Sequence, residues 1–181
     1  MSDTCVIMFG RYNPVHKGHG YVFESALNYQ KQYEADLKLY LSSTQDAVKN
    51  PLSLERKMHY IESFYPRMSS VLQSTENANL FGIMTELDSK YQNIIFIGGS
   101  DRIDEFQKKL DSYNSVLYHY DSIQTIQAGI ERSDCPYSAT MMRECVRNNN
   151  FELFSTALPG ENIELKLQMF TELQREMKCT Y

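Results

Sequence analysis

The chain of 181 residues has no tryptophan and only four cysteines. It also has no apolar run approaching the roughly 18 residues that a membrane-spanning helix needs. Cys5, Cys135, Cys145 and Cys179 are far apart, with no Cys-x-x-Cys and no histidine at zinc-ligand spacing. That pattern excludes a zinc framework and reads as reduced thiols in a cytosolic protein; no metal-ligating set is expected. An excess of positive charge is missing too: 18 Lys and Arg stand against 23 Asp and Glu, a net charge of −5. Broad nucleic-acid binding, which works by releasing counterions to many Lys and Arg, is therefore not expected. A few local cations can still hold a small anion. The acidic Met1-Ser2-Asp3 start, followed by a short apolar run, is unlike a secretory signal. Low-complexity linkers and internal repeats are absent as well. The expectation is a soluble cytoplasmic protein with neither a membrane nor a nucleic-acid partner.

What is present suits one globular domain. Hydrophobic residues make up 42% and charged residues 23%, enough apolar material for a real core. Strand and helix patterns alternate. Residues 4–9 and 94–97 are unbroken apolar runs, the mark of strands buried on both faces. Leu37–Leu41 alternates as a strand; weaker strands are expected at 70–74, 115–118 and 122–126. Helices are expected at 19–31, from the Ser53 cap to Pro66, over Leu80–Leu87 and over Ile103–Leu110. Three more follow at 138–148, 151–157 and 162–178. This order predicts an α/β fold, a Rossmann-like doubly wound parallel sheet with a helical C-terminal segment. Residues 1–130 would form the core and 131–181 the helical segment of the same domain.

Polar loops follow three of the strands, at the ends where such sheets bind ligands. Behind Cys5–Phe9 comes Gly10-Arg11-Tyr12-Asn13-Pro14-Val15-His16-Lys17-Gly18-His19. Glycine lets a ligand approach the backbone, and imidazole N–H groups, an ammonium and the amides of a helix N-terminus favour anions. The competing reading is a pair of ordinary surface histidines. Ser138-Ala139-Thr140-Met141-Met142-Arg143 places hydroxyls and a guanidinium at another helix start. It serves equally as a plain N-cap with a solvated arginine. Gly98-Gly99-Ser100-Asp101-Arg102 admits a nucleoside, with Asp101 as a hydrogen-bond acceptor or merely as a helix cap. Lys49 ends a long polar loop as either a phosphate contact or a solvated charge.

Taken together, His16-Lys17-Gly18-His19 and the Ser138–Arg143 stretch resemble the two signatures of the His-x-Gly-His nucleotidyltransferase superfamily. Gly10–His16 is similar to the Gly-Arg-Phe-x-Pro-Phe-His opening of archaeal-type nicotinamide-mononucleotide adenylyltransferases. Asn50-Pro51-Leu52-Ser53-Leu54-Glu55-Arg56 resembles their Asn-Pro-Phe-Thr-x-x-Glu-Arg stretch, and Tyr137–Thr140 their second signature. Gly99–Arg102 and Leu158-Pro159 are also similar to small bacteriophage-encoded nucleotidyltransferases, which would place the protein in a host cytoplasm. Tyr12-Asn13 and Ala139 depart from the commoner Phe-Gln and glycine. With no tryptophan, a nicotinamide stack would fall to Tyr, Phe or His.

The resemblance implies transfer of AMP from ATP to nicotinamide mononucleotide, forming NAD and releasing pyrophosphate. A cytidylyltransferase making a CDP-linked alcohol or sugar is the alternative, as is adenylyl transfer to another phosphate ester or a silent nucleotide-binding relative. It implies His16, His19 and Arg143 as catalytic groups. Phe9, Gly10, Arg11, Lys17, Gly18, Gly99, Ser100, Asp101, Ser138, Ala139 and Thr140 would surround the nucleotide. Tyr12, Asn13, Lys49, Arg56 and Arg102 would meet the second substrate. Mg²⁺ is expected on the triphosphate, held mainly by phosphate oxygens, and self-association is expected from the small members of the superfamily.

Overall fold

In the computed structural model, which describes residues 2–74, 79–99, 103–129 and 134–179, five strands lie parallel in one sheet. They are β1 (Thr4–Gly10), β2 (Asp36–Leu41), β3 (Leu72–Gln73), β4 (Asn93–Gly98) and β5 (Ser122–Gln127), in the order β3-β2-β1-β4-β5. β1 is central, hydrogen-bonded to β2 on one side and β4 on the other. Cys5–Met8 is accordingly sealed from solvent on both faces.

Seven helices among the described residues cover the sheet: α1 (Lys17–Gln32), α2 (Leu54–Phe64), α3 (Leu80–Leu87), α4 (Ile103–Tyr113), α5 (Ala139–Arg147), α6 (Phe151–Thr156) and α7 (Ile163–Glu176). The period-two pleat divides the apolar strand residues between two cores. Val6 and Met8, with Leu37, Leu39, Ile95 and Ile97, face α1, α2 and the C-terminal helices. Cys5, Ile7, Ile94 and Phe96 face the other way, onto Leu80, Met84, Leu87 and Leu110 of α3 and α4. Met142, Val146, Phe154, Phe170 and Leu173 join the first core, so α5–α7 share it with α1 and α2. The doubly wound parallel sheet expected from the sequence is the observed fold.

Three expected elements change. Residues 115–118 form a turn with an isolated bridge between Asn114 and Tyr118, and Ser115 has a φ of 68°. Val116 and Leu117 stay exposed. Only Tyr118 turns inward, its hydroxyl donating to the Leu110 carbonyl at 2.8 Å, while β5 takes the place beside β4. The weak strand at 70–74 shrinks to the two residues of β3 behind a 3-10 turn over Pro66–Val71. The first helix starts at Lys17, two residues early, because His16 caps it.

Chain order reverses at β1, whose neighbours lead away on opposite sides. Such a switch point leaves a crevice beyond the carboxyl ends of the strands. The loops after β1, β2 and β4 open there.

Candidate active site

The loop after β1 is organised by its two histidines. His16 sits at the α1 N-cap, and its Nδ1 accepts from the Gly18 amide at 3.1 Å. His19 Nδ1 in turn accepts from the His16 amide at 3.2 Å, an imidazole version of the capping box. With both Nδ1 atoms accepting, the ring proton of each histidine sits on Nε2. The rings lie 3.8 Å apart between centroids. Burial first, and the neighbouring His16 second, hold His19 well below the ordinary histidine range, so it is neutral at pH 7. The glycine between them is obligatory: a Cβ on Gly18 would come within 2.8 Å of His16 Cε1.

Gly10 is required for a similar reason. Tyr12 has a φ of 46° and folds its ring back, so a Cβ on Gly10 would meet Tyr12 Cε2 at 2.8 Å. The Tyr12 ring is buried against His19 and Phe23, at 4.8 and 5.6 Å. It supports the His19 ring from behind. Asn13 is buried as well, donating to the Leu52 carbonyl at 2.9 Å and accepting from the Leu52 amide at 3.0 Å. That reciprocal pair pins the loop after β1 to the loop after β2.

The second motif enters from α5. Ser138 is its N-cap, accepting from the Met141 amide at 3.1 Å. Arg143 reaches across 130 positions of sequence to donate to the Asn13 carbonyl at 2.7 Å, and its other arm donates to Thr140 Oγ1 at 3.1 Å. Burial, then the charges of Arg147 and Arg11, lower the Arg143 pKa; Asp46 acts in the opposite sense. Arg147, one turn further along α5, donates to the Val48 carbonyl at 3.1 Å. Asp46 collects the Val48 and Lys49 amides and Asn50 Nδ2, bonds that hold its carboxyl down to about 2.

The structure therefore brings His16, His19, Gly10, Gly18, Asn13, Ser138, Ala139, Thr140 and Arg143 together. Lys17 follows the cap and lies 5.4 Å from the centre of the Tyr137 ring. Arg11 is exposed, and so is Lys49. Phe9 is half-buried against the α3–α4 core. Gly99 is exposed at the end of β4, where a Cβ would touch no described atom within 4 Å. Ser100, Asp101 and Arg102 lie outside the described residues. Arg56 turns away toward α7, where Glu172 takes it in a two-armed ion pair at 2.8 Å.

Two basic residues near these loops escape the motifs. Arg147 reads as an ordinary cation at a helix C-terminus, and only its i+4 spacing from Arg143 marks it. Lys57 is 1% exposed, with the Ser42 carbonyl as its acceptor, and burial lowers its ammonium to about 8. Its sole signal is a lysine between Arg56 and Met58 on a helix whose next turn, at Tyr60 and Ile61, is buried.

No family model matches the chain, and no curated protein matches it in sequence. Solved structures do match in shape. One is a Vibrio parahaemolyticus protein assigned as a nicotinate-nucleotide adenylyltransferase, with a TM-score of 0.60 and 16% identity over 92% of this chain and 99% of that one. This chain shares the Rossmann-like α/β fold of that structure. Another is Thermotoga maritima TmcAL bound with alpha-thio ATP: TM-score 0.56, 14% identity, 95% of this chain and 56% of that one. Among the described residues no helix is long and apolar enough to cross a membrane.

Proposed function

We propose that the chain is a nucleotidyltransferase that moves the adenylyl group of ATP onto nicotinamide mononucleotide. An oxygen of the acceptor's phosphate attacks the α-phosphorus. The bond from that phosphorus to the oxygen bridging to the β-phosphorus breaks, and pyrophosphate leaves with the electron pair. No covalent intermediate is needed, so alignment and charge neutralisation carry the rate.

The observation that carries this reading is the Arg143–Asn13 bond. It joins the α5 cation to the same loop whose two histidines cap α1 by accepting at Nδ1, which places the ring proton of each on Nε2. Paired imidazoles suit the α- and β-phosphate oxygens, where negative charge builds. Arg143, Lys17 and Arg11 suit the remaining phosphates. Gly99, with Ser100 and Asp101 by their place in sequence, would border the nucleoside. Mg²⁺, when bound, neutralises phosphate charge. It would ride on phosphate oxygens and water, and the described residues contain no cluster of three His, Cys, Asp or Glu to hold it. The adenylyltransferase assignment of the Vibrio structure and the nucleotide bound to TmcAL support the same reading at the level of fold.

A pyrophosphate-release screen tests it, with ATP and CTP each offered nicotinamide mononucleotide, its acid form, phosphocholine, glycerol phosphate and pentose phosphates. Turnover with ATP and the pyridine mononucleotide is expected. Turnover confined to CTP would replace the reading with cytidylyl transfer, and no release with any pair would mark a silent nucleotide-binding protein.

A further inference from the structure

The loop after β2 meets α5 through a contact that the two motifs do not explain. Arg143 and Arg147 lie one helical turn apart, a spacing that puts them on the same face of α5. Like charges so placed repel, and the Arg143 guanidinium feels both Arg147 and Arg11. Two carboxylates act the other way on Arg143: Asp46, already engaged by two amides and Asn50, and Glu144 of α5 itself. Three guanidiniums thus outnumber the two carboxylates that act on Arg143. Arg143 and Arg147 are held by neutral groups of the protein: Arg143 by the Asn13 carbonyl and Thr140 hydroxyl, Arg147 by the Val48 carbonyl. A carbonyl dipole orients a guanidinium without cancelling its charge. A guanidinium has five donors, so one bond to Val48 leaves Arg147 able to take a phosphoryl group in the two-armed way that suits it.

Building on the proposed nucleotidyl transfer, we infer that Arg147 is a phosphate-binding residue of this site, extending the Arg11–Arg143 cluster toward the loop after β2. The ligand chemistry is a phosphoryl group carrying negative charge. It comes either from the outer end of the triphosphate or from the phosphate of the acceptor mononucleotide, since Arg147 lies a turn beyond Arg143 and beside the Val48–Lys49 backbone. The bond to Val48 makes a second consequence plain: phosphate held by Arg147 also fixes the loop that Asn13 ties to the histidines through Leu52.

Calorimetric titration of the full chain with inorganic triphosphate, and separately with nicotinamide mononucleotide, tests the assignment in wild type, R147Q and R147K. Glutamine keeps a donor for the Val48 carbonyl but not the charge; lysine keeps the charge. R147Q is expected to weaken one of the two anions about tenfold, and R147K to recover most of that loss. The anion that responds identifies the source of the phosphate. A purely structural latch predicts the reverse, R147Q matching wild type for both anions, and that result would overturn the inference alone. Wild type binding neither anion would overturn it together with the transferase reading.

Discussion

Arg56 and Arg143 end in different company. Arg56 on α2 is clasped by Glu172, a carboxylate only 8% exposed that also accepts from the Tyr60 hydroxyl. Burial pushes the Glu172 carboxyl up, but the bonds from Arg56 and Tyr60 outweigh it and hold the group below its usual range. At that seam charge is cancelled inside the protein. Arg143 meets a carbonyl and a hydroxyl instead, and its nearest charged neighbours include two more arginines. The first arrangement ties α2 to α7; the second ties α5 to the loop after β1 with no carboxylate in the bond. What an arginine does is decided by the acceptor it finds, not by the motif it stands in.

The largest expected effect lies at the histidines that Arg143 serves. His19→Ala should lower kcat by at least about a hundredfold, the scale of losing a donor to the transition state, while triphosphate affinity moves little. An unchanged turnover number in steady-state assays would remove His19 from the chemistry. Arg143→Ala should act on binding, weakening ATP about thirtyfold by calorimetry, as expected for lost charge-assisted hydrogen bonds. Equal affinity in the variant would erase its contrast with Arg56.

Glu172→Ala should do the opposite, costing about 2 kcal/mol in urea unfolding because Arg56 keeps a half-buried charge without a partner, with ATP affinity of the folded protein intact. Loss of affinity there would break the division between seam and site. The pH dependence has a defined sign. A carboxyl whose folded pKa lies below its unfolded value adds stability above the unfolded value, about 4.5, and loses it as pH falls through the folded one. Wild type and variant should therefore converge in acid.

Lys57 gives the smallest effect and sharpens the same contrast, being a cation held by a carbonyl but sealed from any ligand. Its folded pKa of about 8 lies below the ordinary 10.5, so the unfolded chain binds more protons between those values and stability rises with pH across that window. Lys57→Met should raise stability at pH 7 by about 1 kcal/mol, after offsetting the lost bond to Ser42. The gain should fade as pH climbs past 8 toward 10.5. Thermal melts at pH 7 and 10 check it; a constant gain would return Lys57 to an ordinary pKa.

Much of the fold could be read from the sequence because local pattern and burial agree. Cys5–Phe9 and Ile94–Ile97 are unbroken apolar runs, and both are interior strands. At 115–118 the same signal misled, since Val116 and Leu117 are apolar yet have nothing to pack on at the sheet's edge. In the site, the spacing of His16, Gly18 and His19 reflects contacts within four residues, so the motif could be recognised without the rest of the chain. Tyr12 reads from the sequence as a substrate contact, and the structure turns it inward under His19. Its direction depends on a left-handed backbone at that one residue, which no periodicity announces. Glu172 was invisible as a partner for Arg56 because nothing local links the two.

That separation of 116 positions also matters in time. A ribosome working at about 5–20 residues per second adds Arg56 roughly 6 to 23 seconds before Glu172. Throughout that interval the nascent α2 carries an unneutralised guanidinium beside Tyr60, on the face that will later meet α7. The parallel strands can pair in that time, but the seam waits for the last helix. Synthesis thus sets the order in which this protein can finish its interior.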